Sequence, residues 1–335
     1  MGQGDATLIK CDGHSMLIDA GNNDKGTLVQ NYLQHQGVET LDYVIGTHPD
    51  ADHIGGMDVV LYKFDCKTII MPDVANNTRT YDDVVQTMKN KGYKTTYPVV
   101  GETYTIGGAA FTIIAPNKEY GNDMNSWSVG VLLQNGNHRF LFTGDAEEGA
   151  EQDILQNGID ISADVYKVAH HGSNTATSQA FLDAVHPTYA VISAGEGNSY
   201  GHPHAEVLNR LRAAGVSVFR TDEQGTIVAA SDGTTLTWNM SPSESWQAGE
   251  AEKSQNTEKS EKAADNQNNA ETDAAVSNPT DQTDGNSDVI VHITKTGEKY
   301  HSAGCQYLRQ SDIEVTLSEA KAKGLTPCSK CNPPQ

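Results

Sequence analysis

Residues His48-Pro49-Asp50-Ala51-Asp52-His53 put two imidazoles and two carboxylates into six positions, between the apolar run LDYVIGT and the pair Gly55-Gly56. In an extended segment, side chains at i, i+2 and i+4 project to one side, so His48, Asp50 and Asp52 can converge, with His53 joining as a helix begins. The two glycines let the backbone turn closely behind them. Imidazole nitrogens and carboxylate oxygens are ligands for divalent cations, and four of them can satisfy one ion or partly ligate two. Two cations about 3.5 to 4 Å apart polarise a phosphoryl or carbonyl oxygen and lower the pKa of a shared water toward roughly 7, which is the chemistry of hydrolysis. Carboxylate in place of imidazole hardens the set, so Mn²⁺ stands beside Zn²⁺ as a candidate.

Three further stretches carry reactive side chains. KVAHHGS (167–173) and GHPH (201–204) each lie between an expected strand and an expected helix, the edge at which α/β proteins bind ligands. Pro203 suits a first helical turn, which puts His204 near a helix N-terminus. His202, His204 and whichever of His170 and His171 does not ligate are candidates for holding a phosphate or protonating a leaving group, or else for orienting the ligands. Ser173 reads as a helix cap. Asp19 reads either as a partner of the ligands or as a plain strand-end carboxylate. In the tail, His301, Cys305, Cys328 and Cys331 form a His-x3-Cys pair and a Cys-x2-Cys pair, spacing that suits one structural Cys3His zinc in a module too small for a large core. The competing reading is a disulfide from Cys305 to Cys328 or Cys331. Cys11 and Cys66 sit in apolar contexts and read as packing residues.

These groups need a scaffold. Residues 6–11 and 14–19 read as a hairpin about Asp12-Gly13, GTLVQNYLQHQG as a helix, LDYVIGT as a buried strand, GMDVVLYKF and 80–91 as helices. The second half alternates strand and helix before two closing strands, and two mixed sheets covered by helices account for the order. The net charge is -21, with -15 in residues 1–240, -8 in 241–288 and +2 in 289–335. Such an acidic surface repels phosphate backbones at long range, so nucleic-acid chemistry would need metals or a local basic patch. Residues 241–288 are polar and poor in large apolar side chains, and read as a disordered acidic linker before a small module at 289–335. No apolar run is long enough to span a bilayer, and the N-terminus lacks a signal-peptide layout.

The pattern His-x-Asp-x-Asp-His-x-Gly-Gly, with GQGD at 2–5, LIDAG at 17–21, TGD at 143–145, KVAHHGS and GHPH, resembles the metallo-β-lactamase fold, specifically the nuclease-like domain of ComEC-type DNA-uptake proteins and their secreted relatives. The resemblance covers residues 1–240 and implies an αββα sandwich. It implies that His48 and Asp50 bind one metal, Asp52 and His53 the second, and that Asp145 bridges them, with His170 or His171 completing the second site. Asp52 or Asp145 would orient the attacking water. The ligand histidine expected before TGD is replaced by NSWS, leaving Asn125, Ser126 or water to close the first site. The tail is similar to Cys/His modules appended to secreted bacterial nucleases and surface proteins. The implied function is a dinuclear Zn or Mn phosphodiesterase acting on DNA, exported to the cell surface, with surface association through the tail and with a further strand and a signal or anchor ahead of GQGD. Hydrolysis of small phosphoesters or wall phosphocholine is an alternative. So is a DNA- or wall-binding protein with a vestigial metal site.

Overall fold

The computed structural model describes residues 1–249, 290–294, 299–302, 308, 313–323, 325–328 and 330–331. The chain divides into two compact units, Met1–Glu258 and Lys259–Gln335.

In the first unit, one sheet contains β1 (Thr7–Cys11), β2 (His14–Ile18), β3 (Thr40–Ile45), β4 (Asp65–Ile70) and β5 (Thr95–Thr96) in chain order, antiparallel for the first pair and parallel thereafter. The opening hairpin turns at Asp12 and Gly13, with φ 50° and 81°, and a two-residue primed turn needs both residues in the left-handed region. The second sheet runs from β6 (Thr103–Ile106) through β7 (Ala109–Ala115), β8 (Gly130–Asn135), β9 (His138–Phe142), β10 (Val165–Lys167) and β11 (Tyr189–Ile192) to β12 (Ser217–Arg220). Its first four strands are antiparallel and its last four parallel. The short pair β13 (Ala229–Ser231) and β14 (Leu236–Trp238) closes the unit.

The helices are α1 (Gly26–His35), α2 (Ala51–Ile54), α3 (Met57–Lys63), α4 (Arg79–Lys91), α5 (Glu148–Gln156), α6 (Gln179–Val185), α7 (Ala205–Ala213) and α8 (Thr221–Gln224). Strand alternation decides the layering. On β2, Met16 and Ile18 join Ile45, Phe111, Ile113, Val131 and Leu133 in an inner cluster, whereas Leu17 faces a separate cluster with Val29, Leu33, Val60, Val84 and Met88 from α1, α3 and α4. The other face of the second sheet packs Leu132 and Leu141 against Phe181, Leu182, Val207 and Leu211 from α6 and α7. Helix, sheet, sheet, helix is the order expected from the resemblance.

Two local expectations change. His204 is the N-cap of α7, at the helix N-terminus as expected, but the helix starts at Ala205, so Pro203 lies outside its first turn. Ser173 accepts the Thr175 N–H and hydrogen-bonds its hydroxyl, forming a turn, and Ser178 is the residue that caps α6. The block also does not end at 240. Ser243 N–H bonds Val218 O at 2.7 Å, Trp246 packs on the core beneath the Arg212 guanidinium, and Gly249 N–H bonds Pro203 O at 2.9 Å. One tryptophan buries enough area to hold a segment whose average composition reads as linker. The rest of the expected linker, 250–288, lies outside the described residues.

In the second unit, β15 (Ile290–Ile293), β16 (Lys299–His301), β17 (Ile313–Thr316) and β18 (Thr326–Pro327) form a sheet in the order β17-β15-β16-β18, with α9 at Leu317–Ala322. Val291, Ile293, Tyr300, Val315, Leu317 and Ala320 make its small core.

Candidate metal centre

The two sheets each deliver ligands from strand ends. Strand β3 runs out at Ile45, and Thr47 O accepts the Val129 N–H at 2.8 Å, tying this end to the approach to β8. Asp50 occupies the N-cap position of α2 without using its carboxylate as a cap; Oδ1 accepts from Asn76 Nδ2 at 3.1 Å, and Oδ2 faces His48. Asp52 and His53 follow on α2. A Cβ on Gly55 would lie 2.2 Å from Ala51 O and 2.3 Å from Asn23 N, so only glycine permits this close turn. From the second sheet, the turn after β9 brings Asp145, whose N–H donates to Ser128 Oγ at 3.0 Å. The turn after β10 brings His170 and His171, both with left-handed φ (49° and 55°).

Asp52, His53, Asp145 and His171 each offer one ligand atom, and these atoms lie within 4.8 Å of one another. His53 Nε2 is 3.1 Å from Asp145 Oδ1, and His171 Nε2 is 3.3 Å from Asp52 Oδ2 and 3.5 Å from Asp145 Oδ2. His48 Nε2 approaches Asp50 Oδ2 at 3.9 Å beside this group, and the His48 and His53 ring centroids are 4.1 Å apart.

The outer nitrogens explain how the inner ones are presented. His53 Nδ1 lies 2.8 Å from Asp19 Oδ2, and His171 Nδ1 lies 3.0 Å from Ser193 O. Both partners accept, so both rings carry a proton on Nδ1, and in the neutral form each aims its lone pair from Nε2. His48 Nδ1 lies 3.2 Å from Thr47 Oγ1, a hydroxyl whose own proton goes to Asp19 Oδ2 at 2.8 Å, with the same result. The buried side-chain atoms left without a hydrogen-bond partner include His48 Nε2, His53 Nε2, His171 Nε2 and Asp145 Oδ1. The 3.1 Å approach of His53 to Asp145 therefore lacks hydrogen-bond alignment. Orphaned buried groups are costly, and these four converge with the chemistry of a divalent-cation donor set, which the residues thus fit.

Electrostatics reflects the same crowding. Burial alone would push His53 down, but the carboxylates of Asp145 and Asp19 override it and hold the ring well above the ordinary histidine value. Asp145 is driven up by burial and pulled further down by His53 and His171, ending well below the carboxylate range. Burial, then the neighbouring His53, lowers His48 to about 3. Asp52 sits at about 2, because its His171 contact and the charge on His53 outweigh desolvation. Desolvation and Asp52 raise Asp50. Protons occupy positions suited to cations, so metal binding here must displace protons.

Other expected residues fall around this centre. His170 is the outer member of its pair: Nδ1 faces Thr175 Oγ1 at 3.2 Å and Glu147 Oε1 at 3.3 Å, while Nε2 is 3.7 Å from Asp145 Oδ2. Asn125 donates to Glu147 Oε1 at 3.1 Å, and Ser126 is buried. It is Ser128 Oγ that reaches the centre, 3.3 Å from His48 Nδ1. His202 is buried, its ring 5.6 Å from His170 and 6.2 Å from His171, and burial with His171 lowers it to about 4. His204 uses both nitrogens, accepting Asn174 N–H at Nδ1 (3.0 Å) and bonding Tyr200 O through Nε2 (3.2 Å). In the second unit, ligand atoms of His301, Cys328 and Cys331 also lie within 4.8 Å of one another, and Ser302 N–H points to Cys331 Sγ at 3.4 Å. Cys305 lies outside the described residues.

The residue reading assigned nothing to GQGD. Asp5 is buried in an ion pair with Lys167 Nζ at 2.8 Å and stands 3.6 Å from His171 Nδ1. Asp5 N–H bonds Asp52 O at 3.0 Å, and Gln3 reaches His202. A charged and an amide residue framed by small ones at a strand entry was the available signal.

The model of the metallo-beta-lactamase superfamily matches residues 1–196. The chain is 33% identical over 196 residues to ComE operon protein 3 of Bacillus subtilis (strain 168), covering 58% of this chain and 25% of that protein. It is 32% identical over 232 residues to Recombination protein 2 of Haemophilus influenzae (68% and 27%) and 29% identical over 228 residues to Competence protein ComA of Neisseria gonorrhoeae (68% and 30%). The chain thus matches less than a third of the length of each of these relatives. With the two-sheet sandwich and the convergent ligand set at its strand ends, the match over most of the first unit establishes that the chain belongs to the metallo-beta-lactamase superfamily.

Proposed function

We propose that the chain is a dinuclear metal-dependent phosphodiesterase acting on DNA. The observation that carries the reading is the convergence of partnerless buried atoms from His48, His53, His171 and Asp145 at the ends of two sheets. In this reading Asp52, His53, Asp145 and His171 would hold one cation, and His48 and Asp50, with a contribution from Asp145, would hold the other. When bound, Zn²⁺ or Mn²⁺ would supply a hydrolytic nucleophile at neutral pH and offset charge on the phosphoryl group. The protein's own contribution is orientation. Asp19, Thr47 and Ser193 lock the imidazoles with Nε2 inward, and Asp52, whose side chain is 29% exposed, would accept a hydrogen bond from the attacking water. His204, with both nitrogens engaged, holds the loop and takes no proton-transfer role.

DNA is favoured because relatives are named for competence and recombination. The net charge of -21 opposes long-range attraction of a polyanion, so binding depends on the charge gathered at the centre itself. A site of action at the cell surface belongs to the same proposal; among the described residues no helix is long and apolar enough to cross a membrane. The tail contributes a structural zinc through His301, Cys328 and Cys331, with the N–H of Ser302 supporting a thiolate at Cys331.

Metal analysis with turnover tests the proposal. Wild type should bind two metals in the first unit and cleave linear DNA and bis-p-nitrophenyl phosphate with Zn²⁺ or Mn²⁺, and Asp145→Ala should abolish both activities. Turnover unaffected by Asp145→Ala, or none with any metal, refutes the enzyme reading. Cys331→Ser should remove one further zinc; unchanged zinc content refutes the tail site.

A further inference from the structure

His202 differs from the other buried histidines of the centre in what holds its outer nitrogen. Its Nδ1 lies 3.0 Å from Gln3 Nε2. The orientation of the Gln3 amide is not free, because its Oε1 accepts the backbone N–H of Gly195 at 3.2 Å, and a backbone N–H can only donate. The amide NH2 therefore faces His202 and donates to it. A donor at Nδ1 requires a lone pair there, so the single proton of the neutral ring resides on Nε2. His53 and His171, held at Nδ1 by a carboxylate and a carbonyl, have the opposite tautomer.

The loop around His202 is fixed as firmly. Asn198 Oδ1 accepts the His202 N–H at 3.0 Å, and its Nδ2 donates to His202 O at 2.6 Å. The ring is sandwiched, nearly parallel to Tyr200 at 5.5 Å and to His171 at 6.2 Å. Among the described residues no hydrogen bond is made to Nε2.

We infer that Gln3 is a positioning residue that fixes His202 as a neutral Nε2–H donor beside the metal centre. His202 then gives a hydrogen bond, and not a proton, to a phosphoryl oxygen of the substrate. The inference rests on the hydrolase reading for the substrate, but not for the tautomer. It gives GQGD a reason: the segment joins α2, through Asp5 N–H and Asp52 O, to the loop that carries His202.

The test uses the metal-free full chain with ¹⁵N-labelled histidine, read by long-range ¹H–¹⁵N correlation, with His202 assigned by its loss in His202→Gln. Wild type should show a neutral ring protonated on Nε2 at neutral pH, and Gln3→Met should lose that fixed pattern. An Nδ1–H or doubly protonated ring in wild type overturns the inference. On linear DNA with Zn²⁺ or Mn²⁺, His202→Ala should lower kcat about 100-fold with KM little changed, the range for loss of one such donor, and Gln3→Met should lower kcat by a smaller factor because the ring keeps an N–H. His202→Gln, which keeps a neutral N–H, should retain most activity. A His202→Gln variant as slow as His202→Ala would show proton transfer and overturn the donor role. No turnover in wild type would sink the hydrolase reading and the donor role with it, while the spectra still decide what Gln3 does.

Discussion

Asp19→Asn isolates the orienting role of the carboxylate behind His53. Asp19 is 1% exposed and has φ 59°, a left-handed conformation that asparagine also tolerates, so the backbone is retained. Oδ1 keeps its 2.8 Å bond from Thr47 N–H. The new NH2 replaces the oxygen that lies 2.8 Å from His53 Nδ1, and two donors cannot share that contact. The neutral ring is then protonated on Nε2, the atom 3.1 Å from Asp145 Oδ1, where a metal would need the lone pair. Loss of such an outer partner costs about 10- to 100-fold in metal affinity, which is about 1.4 to 2.7 kcal/mol. The folded chain without metal loses a buried hydrogen bond between a carboxylate and a ring held above its ordinary value, which is about 1.5 to 3 kcal/mol. Competition titration against a chromophoric chelator reads the affinity, and urea unfolding of the metal-free protein reads the fold. Wild-type affinity in Asp19→Asn would refute the tautomer argument. A lowered urea midpoint with unchanged affinity would show that Asp19 serves the fold alone.

Lys167→Met leaves the Asp5 carboxylate buried without its 2.8 Å partner, and should destabilise by about 3 to 5 kcal/mol. Adding Asp5→Asn should recover much of this in urea unfolding; a Lys167→Met midpoint like wild type would refute the claim. Gly55→Ala sets a methyl against Ala51 O and Asn23 N, and overpacking of this kind costs about 1 to 3 kcal/mol or more, read as a lower midpoint together with reduced metal content. Asp42 is raised by desolvation but lowered further by Lys67 and the Ser15 N–H, reaching about 2 against an ordinary 3.8. A depressed carboxylate contributes its full stability above 3.8 and loses it as pH falls through 2, so the urea midpoints of wild type and Asp42→Asn should converge over that interval. A gap independent of pH would refute the assignment.

What could be read beforehand follows from which interactions are local. The strand-turn-helix around His48 to His53 is written in alternation and a glycine pair, and the closing strands and α4 likewise follow short-range patterns. The choice between His170 and His171 is not local. Both have left-handed backbones, and the inner one is decided by Ser193 O, at the end of another strand, and by Asp52 from the other sheet. Asp19 illustrates the same limit. As a strand-end carboxylate it is ordinary, and only the parallel pairing of β2 with β3 sets it beside Thr47 and His53. The continuation of the block past Met240 escaped because Trp246 works as a single anchor inside a stretch whose average reads as solvated.

The arrangement also explains why the centre tolerates carboxylates where imidazoles are commoner. Each candidate ligand histidine is held at Nδ1 by an acceptor that is itself fixed: Asp19 by two bonds from Thr47, Ser193 by its place beyond β11, Thr47 by its bond to Asp19. Donor direction is thus set by the protein before any cation arrives, and the carboxylates of Asp50 and Asp52 are left to supply charge. If that is how the centre works, Thr47→Val should be a more selective lesion than removal of a ligand. It deletes the hydroxyl that takes the His48 proton and donates to Asp19, yet keeps the Thr47 N–H to Asp19 at 2.8 Å. The expected result is weaker binding of the cation held by His48 and Asp50, about 10-fold, with the cation at His53 and His171 less affected. Two-step metal titration separates the sites, and an equal loss at both would mean that Asp19, not Thr47, organises the whole centre.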